Sequence, residues 1–181
     1  MADLDHRLDR WVVGHRSDWL DPIFVGLSWI GSYGAVWLAI ALFYAWQTRR
    51  PYLPMLVAAM TMVAEISNYG LKLVFDRARP PESYLEPETL IHPPTTPSFP
   101  SGHAVTAFLG ATLISFSRAR WAVWLYALAA AIAWSRVYVG VHYPLDILAG
   151  AVYGTALGFG FRALRLLASS RRRSRRQPPP G

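Results

Sequence analysis

Long apolar stretches separated by short polar breaks make up most of this chain. Pro22 to Gln47 carries no charged residue, and a helix over the run IFVGLSWIGSYGAVWLAIALFYAW is long enough to cross a bilayer core of about 30 Å. A second apolar stretch covers Tyr52 to Phe75, interrupted by Glu65 and by Lys72 near its end. A third, Ala104 to Ser117, extends upstream to a helix start at Ser101. A fourth covers Trp121 to Ser135, and a fifth begins near Pro144, with Asp146 at its start, and reaches about Leu167. Together they predict an all-α fold, a polytopic transmembrane helical bundle of about five spans. The first 21 residues follow another pattern. Leu4, Leu8, Trp11, Val12, His15 and Trp19 recur there at helical spacing, which predicts an amphipathic helix lying in the membrane interface. The expected organisation is an amphipathic segment (1–21), a transmembrane domain (22–168) and a disordered basic tail (169–181).

Composition supports this pattern. Only 16% of the residues are charged, against roughly a quarter in soluble domains, and 53% are apolar. With no cysteine, thiol nucleophiles, disulfides and cysteine-ligated metals are excluded. The net charge of +7 comes largely from five arginines within Arg171–Arg176, so no basic surface for nucleic acid is expected. With five spans, Arg49, Arg50, Arg118, Arg120, Arg162, Arg165 and the tail arginines all fall on one side, where no acidic residue lies. Every Asp and Glu except Glu65 falls on the other. Positive charge marks the cytoplasmic side, so the C-terminus is expected in the cytoplasm and the acidic face outside it, at the cell membrane.

That outer face gathers three clusters far apart in sequence. Lys72 and Arg79-Pro80 follow the second span, Pro100-Ser101-Gly102-His103 precedes the third, and Ser135-Arg136, His142 and Asp146 lie between the fourth and fifth. Two guanidinium forks and an ammonium suit phosphate oxygens. Ser101 is placed to cap a helix and Gly102 to let backbone amides approach an anion at its N-terminus. Arg79 before Pro80 is expected to end a helix. His142 and Asp146 stand four residues apart, so a carboxylate can fix one ring nitrogen and leave the other as a nucleophile. His103 can protonate a leaving oxygen. Such a site for phosphoryl transfer needs no metal and no cofactor, because cations do the electrostatic work. Glu65, Asn68 and Lys72 share one helix face, and Glu65, ionisable within a span, is either a support for the site braced from a neighbouring helix or a structural polar contact. Asp76 can pair with Lys72 or face water. His6, His15 and His92 are assigned no role in the chemistry.

K-x6-RP (Lys72 to Pro80), PSGH (Pro100 to His103) and SR-x5-H-x3-D (Ser135 to Asp146) resemble the three-part signature of the phosphatidic acid phosphatase type 2 superfamily, with every signature position filled. The resemblance implies a helical bundle that dephosphorylates lipid phosphates and diphosphates without a metal. It implies that His142 becomes phosphorylated, that Asp146 supports it, that His103 protonates the leaving group, and that Lys72, Arg79, Ser101, Gly102 and Arg136 hold the phosphate. Membrane lipids and a lipid phosphate or diphosphate are the expected partners, with the oligomeric state left open. Two other readings remain: a vanadate-binding haloperoxidase using the same cations, and a non-enzymatic membrane transporter or scaffold that keeps the pocket.

Overall fold

The computed structural model describes residues 2–49 and 51–174, and every regular element among them is helical. Helix α1 spans Ala2–Gly14, with Asp3 and Asp5 in its first turn, where the helix dipole favours negative charge. α2 (Asp21–Ile30) carries Pro22 in its first turn, where a fixed φ is suited. α3 covers Ala35–Thr48 and α4 covers Tyr52–Phe75. A long connection carries the short α5 (Pro80–Ser83). α6 (Gly102–Ser117), α7 (Ala122–Tyr138) and α8 (Pro144–Ser174) complete the bundle.

The uninterrupted first span expected over 22–47 is two helices. α2 and α3 meet at a 53° bend across Gly31–Gly34. Gly34 takes φ +71°, a conformation that side chains with a Cβ resist, and Tyr33 beside it is also left-handed at φ 51°. Gly31 presses on the Ile132 side chain, so the break is also a close approach between α2 and α7.

α6 is the hub. Ala104, Val105, Leu109 and Ile114 on it are fully buried, and Trp37 from α3 packs directly on Gly110. Gly150, Gly154 and Gly158 place a bare stripe of α8 against α6, touching the backbone of Ser101 and Val105 and the side chain of Thr112. Backbones this close are typical of membrane helix pairs built on small residues. The outside is apolar: Met62 and Ile66 on α4, Trp124 on α7 and Val152 on α8 are all exposed. An apolar exterior on this scale marks a surface that faces something other than water.

Length and composition alone identify fewer spans than the hydrophobic pattern predicts. Among the described residues one helix, Pro144–Arg171, is long and apolar enough to cross a membrane, and the bent α2–α3 pair makes a second if it is one span. α6 and α7 have 16 and 17 residues, short of the roughly 20 of a straight span. α4 has 24 but is made more polar by Glu65, Ser67, Asn68 and Lys72.

Three local expectations change. α4 ends at Asp76, whose left-handed φ of 40° stops it, so Arg79 ends no helix. Arg79 is extended, as a residue before proline must be, and opens α5 instead. The tail expected to be disordered from 169 begins as helix, because α8 continues through Ser174, carried past Ser169 and Ser170 by three arginines, which are good helix formers. Residues 175–181 of that tail lie outside the described residues. α1 is a helix as expected, but its polar residues are split between the outside (Asp3, Arg7) and the bundle. Leu4, Leu8 and Trp11 point outward, while Asp5 and Asp9 are buried against the bundle.

Candidate active site

The C-terminal ends of α2, α4 and α7 and the N-terminal ends of α6 and α8 meet at one end of the bundle. There they enclose a cavity of about 670 Å³. Lys72, Arg79, Gly102, His103, Arg136 and His142 all line it. The three sequence clusters therefore converge in space.

His142 sits in the tight link between α7 and α8, 2% exposed. Its Nε2 lies 3.2 Å from Arg79 Nη1 and its Nδ1 lies 3.3 Å from Asp146 Oδ2. A guanidinium has no acceptor, so Nε2 accepts from Arg79 and the ring proton sits on Nδ1, facing the carboxylate. Burial pushes the His142 imidazole well below the usual histidine range, against the opposing hydrogen bond to Asp146. The ring is neutral, and its one in-plane lone pair, on Nε2, meets the Arg79 guanidinium at the cavity wall.

Asp146 is fully buried in the first turn of α8. Its Oδ2 accepts from the Tyr143 backbone N–H at 2.9 Å and from Ser98 Oγ at 2.5 Å. Its backbone carbonyl accepts the Ser101 N–H at 3.0 Å, which ties the start of α6 to the start of α8. Ser101 is the N-cap residue of α6 by position and backbone conformation, but its side chain caps nothing, and its hydroxyl is buried without a partner.

The cations are held by neutral oxygens. Arg79, 1% exposed, donates from Nε to Thr96 O at 2.7 Å and from Nη1 to Val141 O at 2.8 Å. Burial pushes its guanidinium down to about 10, with Asp146 and Glu82 opposing, so it stays charged at neutral pH. Lys72 Nζ donates to the carbonyls of Pro97 and Ser98, and Arg136 donates to Ser28 Oγ. The Nε of Arg136 is a buried donor without a partner. Buried donors that lack acceptors are costly, and Arg136 Nε and Ser101 Oγ both fit a site whose oxygens come from an anionic ligand. His103, in the first turn of α6, has Nε2 at 3.4 Å from Ser32 Oγ.

Glu65 and Asn68 line the same cavity as Lys72, as their shared helix face predicts. No hydrogen bond braces Glu65 from another helix among the described residues. Lys72 makes its bonds to carbonyls rather than to Asp76. His6 stacks on Tyr143 at 4.5 Å, so it has a packing role behind the site.

Sequence reasoning missed Ser98, Arg77, Ser28 and Asp5. Ser98 stands three residues before Ser101 in a Pro-rich run, and Arg77 fills a variable position of K-x6-RP, so proximity to a motif was a usable signal for both. Ser28 and Asp5 offered none, being brought in by helices that carry no motif.

Comparison with known proteins agrees with these observations. The family model of the PAP2 superfamily matches residues 51–169. An undecaprenyl-diphosphatase of Sulfolobus acidocaldarius is 37% identical over 101 residues, 54% of this chain and 46% of that protein. An undecaprenyl-diphosphatase of Bacillus subtilis is 33% identical over 154 residues, 82% of this chain and 77% of that one. This chain thus spans under half the length of the first and about three quarters of the second. The crystal structure of a transmembrane PAP2 type phosphatidylglycerolphosphate phosphatase from Bacillus subtilis superposes with a TM-score of 0.75, covering 91% of this chain and 85% of that one; at 23% identity, it supports the fold.

Proposed function

The chain belongs to the PAP2 superfamily, and from that premise we propose that it is an integral membrane phosphatase cleaving a phosphomonoester or diphosphate of a lipid, without a metal, at the extracytoplasmic face. The observation that carries the reading is the His142 ring, with Asp146 on one nitrogen and Arg79 on the other, at the wall of a cationic cavity.

The substrate phosphate lies between Lys72, Arg79 and Arg136, with the leading amides of α6 at Gly102 and His103 and the free hydroxyl of Ser101 completing its shell. His142 Nε2 attacks phosphorus. The P–N bond forms as the P–O bond to the lipid breaks, and His103 gives its proton to the departing oxygen. Asp146 stabilises the positive charge that the phosphorylated imidazole carries. Water then attacks the same phosphorus, His103 takes its proton, and free phosphate leaves with the P–N bond broken. The cations serve both steps, because each passes through a phosphoryl group in flight.

Five spans fit the bundle when α2–α3 is counted as one bent span alongside α4, α6, α7 and α8. α6, enclosed by the others, needs no lipid-facing surface of its own. The Arg-bearing ends then face the cytoplasm, and the cavity opens on the other side with α1 in the interface. Exposed Trp29, Tyr33 and Tyr69 line the cavity mouth, so its rim suits an amphiphile more than a soluble halide. A polyprenyl diphosphate, as in the names of the two relatives, is the first substrate to try.

The test is phosphate release in detergent, with EDTA present, from a panel containing a polyprenyl diphosphate, phosphatidic acid and phosphatidylglycerol phosphate. Turnover with an acid-labile, base-stable label on the protein is expected. Strict dependence on a divalent ion, or bromide oxidation after vanadate loading in place of hydrolysis, would overturn the reading.

A further inference from the structure

Behind His142 lies an arginine that the chemistry above does not use. Arg77 Nη1 donates to Asp146 Oδ1 at 2.6 Å, and Nη2 donates to Asp5 Oδ2 at 2.6 Å. Asp5, on α1, is 1% exposed, and its other oxygen accepts the Leu145 backbone N–H at 2.8 Å. The Arg77 guanidinium also sits 4.1 Å from the centre of the Tyr143 ring. One guanidinium thus joins α1, the connection after α4 and the first turn of α8.

Asp146 faces a choice that this arrangement decides. Its carboxylate is fully buried, and a buried charge must be paired. Without Arg77, the remaining cations are those of the cavity, Lys72, Arg79 and Arg136. Turning toward them would take Oδ2 off His142 Nδ1 and cancel charge intended for the phosphate. Arg77 holds Oδ1 from the rear, while Oδ2, on the Tyr143 N–H and Ser98 Oγ, stays facing the imidazole. The planar fork of a guanidinium gives each carboxylate its own donor in a fixed direction, whereas a lysine ammonium is a point charge with rotatable donors.

We propose that Arg77, aimed by Asp5 of the N-terminal helix, is a positioning residue that sets the orientation of the Asp146 carboxylate and, through it, of His142. The inference rests on the phosphatase reading above. It makes α1 part of the working site.

The experiment uses the full chain in detergent with a radiolabelled lipid phosphate, so that small residual rates are measurable. The variants are Arg77→Gln, Arg77→Lys, Asp146→Asn and the double Arg77→Gln/Asp146→Asn. Arg77→Gln is expected to lower kcat by about ten- to a hundredfold with KM changed less than about twofold, the size of effect that small misplacements of reacting groups produce. Arg77→Lys recovers part of the loss. In the Asp146→Asn background, Arg77→Gln costs less than about a further twofold, because its effect passes through the carboxylate. If Arg77→Gln fails to fold, Asp5→Asn is measured in the same two backgrounds, with a smaller fall in kcat that also vanishes without Asp146. A raised KM with unchanged kcat, or losses that multiply in the double variant, overturns the proposal. Collapse of Asp146→Asn with Arg77→Gln at wild-type rate overturns this inference alone. A wild type that releases no phosphate overturns the phosphatase reading as well.

Discussion

On the cavity side of His142, Lys72, Arg79 and Arg136 are held by carbonyls and hydroxyls, and none has a carboxylate within ion-pair distance among the described residues. On the far side, Arg77 is shared between Asp5 and Asp146. The two regions use the same residue type for opposite ends. A neutral partner aims a guanidinium and leaves its charge to be used. A carboxylate partner consumes the charge and turns the guanidinium into a bracket. Charge left over at the front is what a dianion would bind, while a rear guanidinium taken up by two carboxylates holds the Asp146 carboxylate whether or not a ligand is bound.

The sharpest way to break this contrast is to remove the group at its centre. His142→Ala should abolish both phosphate release and labelling of the protein, as measured by radiolabel transfer. Next comes the unbalanced front. Arg79→Gln should lower kcat/KM by about a hundred- to a thousandfold, the usual cost of one preorganised donor to developing charge, as read from initial rates. If the loss were under threefold, the front cations would not be the electrostatic device described here. His103→Ala should cost on the order of a hundredfold with a lipid leaving group and much less with nitrophenyl phosphate, whose oxygen needs no proton. The smallest effect is in the pH profile. Burial lowers the His142 value, so the ring stays neutral and nucleophilic below the ordinary histidine value of about 6.5 and is lost only as pH falls through its depressed value. The acid limb of kcat/KM should lie below that point, and a limb above it would mean a solvated or differently paired imidazole.

Much of the front was legible in the sequence. Its residues sit in three short motifs, each fixed by local geometry: four-residue spacing for His142 and Asp146, a helix start at Gly102, and proline after Arg79. Hydropathy placed them together because helix ends must alternate between faces. The rear was not legible. Arg77 and Asp5 are 72 positions apart and meet only because α1 docks on the start of α8. The helical period of α1 was readable, but not the partner of each face. Leu4, Leu8 and Trp11 point outward, yet Asp5 turns inward, where Arg77 and the Leu145 amide bind it, and Asp9 is buried with only the neighbouring Arg10 on its Oδ2. The break at Gly31–Gly34 was hidden for a different reason. An uncharged apolar run is the same whether straight or bent, and only the left-handed Gly34 and the contact of Gly31 with Ile132 reveal the corner.

The attachment of α1 has a practical side. A purification tag or fusion partner at the amino end loads the helix whose Asp5 holds Arg77, one contact away from Asp146. The Ser174 end of α8 stands a whole helix length away from that bracket.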